Sequence, residues 1–220
     1  MKRSIITTAD GSKTIYLEQW EEHYHSRHGA IQEAYHVFIK NGLSLFKEGH
    51  VAILEMGFGT GLNALITLIE AERTHLNISY TGVEAYPVAP NELQALNYIA
   101  QLKANAFQDI FDRMHQCPWK KEIKITDNFV LHKIPMDFRE VKANQVFDLI
   151  YFDAFGARVQ PELWTESIFE SMFLVLRKKG ILVTYAAKGS VRRAMQSVGF
   201  VVERLPGPPG KREMLRARKP

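Results

Sequence analysis

The stretch Val51-Ala-Ile-Leu-Glu-Met-Gly-Phe-Gly-Thr-Gly-Leu-Asn63 decides the fold. An apolar, partly β-branched run flows into a glycine-rich turn and then into a helical pattern, so it reads as strand, loop and helix. Gly57, Gly59 and Gly61 carry no Cβ. The turn can therefore take positive φ, and a ligand can lie directly against the backbone beside the amides that open the next helix. That is a seat for a nucleotide-type cofactor. A dinucleotide fingerprint would place Gly or Ala at position 62 for close packing of helix on strand, and Leu62 stands there, which argues against NAD or FAD.

Downstream, Leu62, Leu65, Ile66, Leu68 and Ile69 form the inward face of a helix ending near Arg73, and Ile78 to Glu84 reads as a second strand that finishes in a carboxylate. This completes a β-α-β unit. Val146-Phe-Asp-Leu-Ile-Tyr-Phe-Asp153 reads as a buried parallel strand, also ending in an acid. In a doubly wound sheet ligands sit at the carboxyl ends of the strands, so Glu55, Glu84 and Asp153 would emerge on one edge.

The remaining elements fit around this frame. Pro87 and Pro90 predict a helix through about Leu102, and Phe107, Ile110, Phe111 and Met114 a second one reaching Pro118. Strands are expected between Lys120 and Pro135. Pro161 opens a helix expected to close on Arg177-Lys178-Lys179 with Gly180 as its C-cap. Gly180 to Ala187 is a fifth strand. Ser190 to Val198 is a short helix, and Phe200 to Leu205 and Met214 to Ala217 form an antiparallel pair around the stiff basic loop Pro206-Gly-Pro-Pro-Gly-Lys-Arg212. Ahead of the core, Asp10-Gly11 and the run Thr14 to Leu17 predict a short hairpin, followed by a helix with Ile31, Ala34, Tyr35 and Phe38 on one face.

With 220 residues, 46% hydrophobic and 24% charged, the composition is that of one globular domain with decorations. Cys117 is the single cysteine, which excludes an internal disulfide and a cysteine-based metal cluster. His23, His25, His28 and His36 cluster near the N-terminus without His-x-x-x-His or His-Glu-x-x-His spacing, so no metal is expected. Neither a signal-peptide core nor a membrane-length apolar run is present, and a cytoplasmic location is expected. The net charge of +4 is unevenly placed: Lys188 to Pro220 holds nine Lys and Arg against two Glu. Such asymmetry suits a polyanion such as RNA.

Glu55 followed by Gly-x-Gly-x-Gly resembles the first motif of class I S-adenosylmethionine (AdoMet) methyltransferases, in which the loop wraps the methionine moiety. The resemblance implies a doubly wound, mostly parallel, seven-stranded Rossmann-like α/β sheet with an antiparallel C-terminal strand. It divides the chain into an N-terminal extension, 1–45, and a methyltransferase domain, 46–220. Glu84 lies 23 positions after Gly61, a distance at which a carboxylate can accept from both ribose hydroxyls. Asp137-Phe138 either holds the adenine or caps a helix. Glu55, Gly57, Gly59, Gly61, Asn63, Glu84, Asp137 and Phe138 are thus the expected cofactor residues.

The whole chain resembles, more narrowly, the methyltransferase half of the MnmC family, which finishes the 5-methylaminomethyl group on the wobble uridine of certain tRNAs. The residues that carry this are Tyr24-His-Ser26, Gly29-Ala-Ile-Gln-Glu33, His36-Val-Phe38, the glycine loop, Tyr151-Phe-Asp-Ala-Phe155, Pro161-Glu-Leu-Trp164, Thr184-Tyr185 and Gly207 to Met214. The chain departs from the family pattern in lacking an Arg near Tyr35 and in having Gly156-Ala157 where a Pro is usual. The resemblance implies a stand-alone methyltransferase without the FAD-dependent oxidase, methylating the aminomethyl group of 5-aminomethyl-2-thiouridine that a separate enzyme supplies. Asp153 would either orient the acceptor amine or hold the AdoMet ammonium. Phe155 and Tyr185, with Tyr151 and Phe152, would wall the base, and Lys188, Lys211 and Arg212 would grip phosphates of the anticodon stem-loop. Competing readings are an AdoMet-dependent methyltransferase of a small amine or carboxylate and a non-catalytic AdoMet- or RNA-binding module.

Overall fold

A computed structural model describes residues 2–220; Met1, the first residue of the expected extension, lies outside the described residues. Three short strands, β1 (Arg3–Thr7), β2 (Lys13–Leu17) and β3 (Glu22–His23), form a small antiparallel sheet of their own. The helix α1 (Ala30–Ala34) follows and continues as a π-helical turn through Tyr35–Lys40. The main sheet then begins with β4 (His50–Met56), α2 (Leu62–Thr74) and β5 (Asn77–Val83). Next come α3 (Pro90–Gln94), α4 (Tyr98–Gln101), α5 (Gln108–Gln116), β6 (Glu122–Thr126), β7 (Phe129–Ile134) and β8 (Phe147–Phe152). The chain closes with α6 (Glu166–Val175), β9 (Leu176–Thr184), α7 (Gly189–Ser197), β10 (Val201–Pro206) and β11 (Glu213–Arg218).

The main sheet has the order β10-β11-β9-β8-β4-β5-β7-β6. Its centre, β9-β8-β4-β5-β7, is parallel, while β11 runs against β9, β10 against β11 and β6 against β7. The sheet thus has eight strands rather than the expected seven. The stretch Lys120 to Pro135, where strands were expected, holds two, β6 and β7; β6 is an edge strand whose Ile123 and Ile125 alternate with exposed charges and which pairs back on β7 across a tight turn at Asp127-Asn128. From β4 the chain winds outward to β5 and β7, then returns to β8 on the other side of β4. The order reverses between β4 and β8, which opens a crevice at their carboxyl ends.

Both faces of the parallel strands are covered, which is why these strands read as near-continuous apolar runs. One face packs under α2, α5 and the N-terminal helix, where Phe38 lies 4.9 Å from the Tyr151 ring. The other packs under α6 and α7 through Phe152, Trp164, Phe169 and Met195. The N-terminal sheet has a small core of its own, Ile15 and Leu17 with Val88, set beside Tyr24 and Phe155 at the crevice.

Two expected helices differ in the structure. The one from Pro90 is interrupted at Asn97, whose side chain accepts from Lys13 N at 2.7 Å and donates to Gly11 O at 3.0 Å. Its amide ties down the N-terminal hairpin, a long-range demand that overrides local helix propensity. The one from Pro161 forms only a short turn over Pro161–Trp164 before α6, and α6 ends at Val175. Gly180 is therefore not a helix cap. It lies within β9, where a Cβ would meet Arg177 O at 2.8 Å.

Candidate active site

A cavity of about 1320 Å³ occupies the crevice, roofed by the N-terminal sheet and the segment that follows it. It exceeds the roughly 300 to 1,000 Å³ that one drug-sized ligand needs. Its floor is the carboxyl edge of the parallel strands. Gly57, Gly59, Asn63, Glu84, Asp137, Phe138, Asp153, Phe155, Tyr185 and Lys211, all singled out from the sequence, line it.

The glycine loop reaches this floor in a tight crossing. Gly57 has φ +103°, and a Cβ there would sit 2.7 Å from the backbone oxygen of Asp153. Only a residue without a side chain lets the loop pass the end of β8. Gly59 opens toward the cavity. Gly61, at φ +72°, instead starts α2 and packs against His115 and Phe58, away from the cavity lining.

Glu84 emerges at the end of β5, where Gly59 N donates to Oε2 and Tyr86 N to Oε1, both at 2.9 Å. These bonds orient the carboxylate while each oxygen retains acceptor capacity toward the cavity. Burial nevertheless pushes its pKa up. Asp137 does cap a short helical turn: Arg139 N donates to it, and the Arg139 guanidinium pairs with both oxygens, holding its carboxyl below the usual range. Its outer face is thus committed to Arg139, with Phe138 buried beside it at the cavity rim.

Asn63, on the first turn of α2, is the hinge of the polar floor. Its Nδ2 donates to Glu55 Oε1 at 2.9 Å and to Asp153 Oδ2 at 2.8 Å, so one amide bridges two carboxyls. Glu55 is only 1% exposed and lies behind Asn63 rather than on the cavity wall. Burial drives its carboxyl pKa well above the usual value, and the charge of Asp153 adds to this. Asp153 is pushed up to about 7, first by burial and then by the charge of Glu33, against the hydrogen bond from Asn63 and the attraction of Lys211.

Glu33 and Lys211 were not paired by any feature of the sequence. They form an ion pair across the cavity's far end, joining α1 to the β10–β11 loop. Lys188 and Arg212 lie instead in a shallower groove of about 450 Å³ next to the main cavity, with Tyr185 and Lys211 forming part of both. Some of the C-terminal basic residues are engaged within the fold: Arg204 pairs with Glu213, Arg216 with Glu203, and Lys219 is buried, donating to Phe173 O and Leu176 O. Lys188 and Arg212 remain exposed.

The N-terminal roof contributes residues that strand-and-loop reasoning did not assign. Tyr24, whose hydroxyl is pushed up to about 12 chiefly by burial, stands edge-on to Phe155 at 5.1 Å and faces Gly59. Arg158, on the loop after β8, donates to Trp20 O, Glu21 O and Glu22, pinning the roof to the strand that carries Asp153. The only sequence signal for this was the Tyr24-His-Ser26 motif. The four histidines disperse: His25 bonds Thr14, His36 bonds Pro206 O, His23 stacks on Tyr16 and His28 packs at Gly210. Among the described residues no group of three or more His, Cys, Asp or Glu is placed to hold a metal. Nor is any helix among them long and apolar enough to cross a membrane.

The floor suits an AdoMet-type ligand on two observations. Gly57 and Gly59 line the cavity with backbone bare of side chains, and Asn63 Oδ1, also at the lining, is buried without a hydrogen-bond partner among the described residues. An orphaned acceptor beside the Asp153 carboxyl favours a cationic donor.

Comparison with known proteins agrees. Residues 96–220 match the model of an S-adenosyl-L-methionine-dependent methyltransferase family. The chain is 31% identical over 214 residues to the tRNA 5-methylaminomethyl-2-thiouridine biosynthesis bifunctional protein MnmC of Aromatoleum aromaticum, covering 89% of this chain and 32% of that protein. It is 29% identical to the protein of the same name from Leptospira interrogans, covering 96% and 34%. The chain thus spans about a third of the length of these relatives. Among solved structures, MNMC2 from Aquifex aeolicus superposes with a TM-score of 0.78 at 26% identity, over 100% of this chain and 71% of that one. A methyltransferase from Pyrococcus furiosus shares the fold, with a TM-score of 0.51 at 17% identity over 92% of this chain and 90% of that one. Because the family model covers residues 96–220, more than half of the chain, this protein belongs to the S-adenosyl-L-methionine-dependent methyltransferases.

Proposed function

We propose that this chain N-methylates the aminomethyl group of wobble 5-aminomethyl-2-thiouridine in tRNA, giving 5-methylaminomethyl-2-thiouridine, in the cytoplasm. The names of the MnmC relatives and the likeness to MNMC2 over the whole of this chain support the substrate class. In this reading residues 1–45 are an extension that roofs the site and 46–220 the catalytic domain. A separate enzyme supplies the aminomethyl intermediate.

Bound in the cradle, S-adenosylmethionine supplies an electrophilic methyl group on a sulfonium. Gly57, Gly59, Asn63, Glu84, Asp137 and Phe138 would hold it, with Glu55 acting from behind through Asn63 rather than by contact. The observation that carries the reading is the placement of Asp153: a carboxyl just past the end of β8 that faces the cavity and is held by Asn63, with burial pushing its pKa up. An alkyl ammonium holds its protons to about pH 10 in water, so a methylase of amines needs a base beside the nitrogen. Burial brings the basicity of the Asp153 carboxylate closer to that of the amine, so it can accept a proton from the acceptor. Its Oδ2 is held by Asn63, which aims the carboxyl, and alignment supplies much of the remaining rate. Phe155 and Tyr185 wall the acceptor end, while Lys188 and Arg212, in the adjoining groove, are placed for phosphates.

The test is transfer of labelled methyl from AdoMet to tRNA from cells lacking this gene, with nucleoside analysis of the product. Label in 5-methylaminomethyl-2-thiouridine is expected. Turnover only with small amines, or none with tRNA, would refute the assignment.

A further inference from the structure

Glu33 is 7% exposed and lines the cavity. Its Oε1 accepts from Ser26 N at 3.1 Å, and its Oε2 pairs with the Lys211 ammonium. That ammonium lies 3.8 Å from the centroid of the Tyr185 ring, whose hydroxyl is turned away to donate to Ala154 O at 2.8 Å. A primary alkylammonium is therefore already held in this cavity, between a buried carboxylate and an aromatic face, in the same chamber as Asp153.

We propose, resting on the function above, that this seat is where the primary ammonium of the acceptor docks, with Glu33 and Tyr185 binding it and Lys211 a resident cation that yields the place. The ε-ammonium of lysine and an aminomethyl ammonium are the same functional group, so contacts that satisfy one satisfy the other. Glu33 Oε1 is taken by Ser26 N, so the docking ammonium takes the Oε2 position that Lys211 occupies. Lys211 has somewhere to go, because it also lines the groove that holds Lys188 and Arg212, where a phosphate would receive it. The backbone of its loop need not move: His36 bonds Pro206 O at 2.8 Å and Gly210 is packed against His28.

Exchanging one ammonium for another leaves the charge beside Asp153 unchanged. The titratable and charged groups facing Asp153 are Glu33, Lys211, Tyr185 and, through Asn63, Glu55. Once the acceptor is docked, one N–H bond breaks and the proton passes to the Asp153 carboxylate, forming an O–H bond and leaving the nitrogen neutral with its lone pair free. A hydroxymethyl group brings no charge to exchange for the Lys211 ammonium, so the seat also rejects that isostere.

The experiment is calorimetric binding of 5-aminomethyluridine and 5-hydroxymethyluridine to the wild type, Glu33→Gln and Lys211→Met. Wild type should prefer the amine. Glu33→Gln should weaken amine binding roughly tenfold to a hundredfold, as expected for loss of a charge-assisted contact, and erase the preference. Lys211→Met should bind the amine at least as tightly as wild type, because the competitor is gone. If both variants weaken amine binding alike, the pair is a structural tie and the inference falls. It also falls if Glu33→Gln retains the preference. A wild type that methylates tRNA while Glu33→Gln keeps both its KM for tRNA and its amine preference would overturn this inference alone. Failure of wild type to methylate tRNA would overturn the function on which it rests.

Discussion

Replacing Asp153 by Asn should inactivate the protein and stabilise it at the same time. Folding raises the Asp153 pKa from an ordinary 3.8 to about 7. Between those two pH values the native chain keeps a proton that the unfolded chain has lost, so stability from this group is fully present below pH 3.8 and is lost as the pH rises to about 7. Each pH step in that interval costs about 1.36 kcal/mol, and roughly three steps give a burden on the order of 4 kcal/mol at pH 8. Asparagine keeps an oxygen for Asn63 to donate to and carries no charge, so it removes the burden. At about 2 to 4 °C per kcal/mol for a chain of this size, the variant should melt roughly 8 to 16 °C above wild type at pH 8 and nearly level with it at pH 4. Methyl transfer to tRNA should fall by about 10² to 10⁴. The assay is thermal unfolding monitored by circular dichroism across pH 4 to 8, with single-turnover transfer measured in parallel. An Asp153→Asn protein that melts no higher than wild type at pH 8, or whose advantage does not grow with pH, would refute the claim that burial of this carboxyl sets its pKa.

Gly57→Ala should both destabilise the fold, by about 1 to 3 kcal/mol, and weaken binding of S-adenosylhomocysteine in a calorimeter, since the new Cβ meets Asp153 O at 2.7 Å on a backbone with φ +103°. Unchanged melting would show that the crossing of the loop and β8 is looser than described. Lys188→Ala with Arg212→Ala should reduce the slope of log affinity for tRNA against log salt by about 0.7 to 0.9 for each phosphate contact removed. The same pair should leave S-adenosylhomocysteine binding as it was, and an unaltered salt slope would take the groove out of RNA recognition.

What could be read from the chain alone was whatever depends on near neighbours in sequence. The apolar run Val51 to Leu54, the glycines after it and the acids ending β5 and β8 each imply an element and its functional end, because strand burial, positive φ and strand-end position are local properties. Placing Glu84 and Asp153 on one edge needed only the general rule for parallel sheets, and the family likeness rested on motifs of a few residues. Tertiary structure decided the rest. It put Glu55 behind Asn63 instead of on the cavity wall, broke the helix at Asn97 to anchor a hairpin, turned Gly180 from a cap into a strand residue and drew Arg204, Lys211 and Arg216 of the basic C-terminus into ion pairs. Lys211 is the sharpest case, since as a sequence position it is one more surface cation. Its partner Glu33 lies 178 residues away, and a contact of that span leaves no periodicity or spacing in the chain, because it exists only once the sheet has brought α1 and the β10–β11 loop to the same end of the crevice.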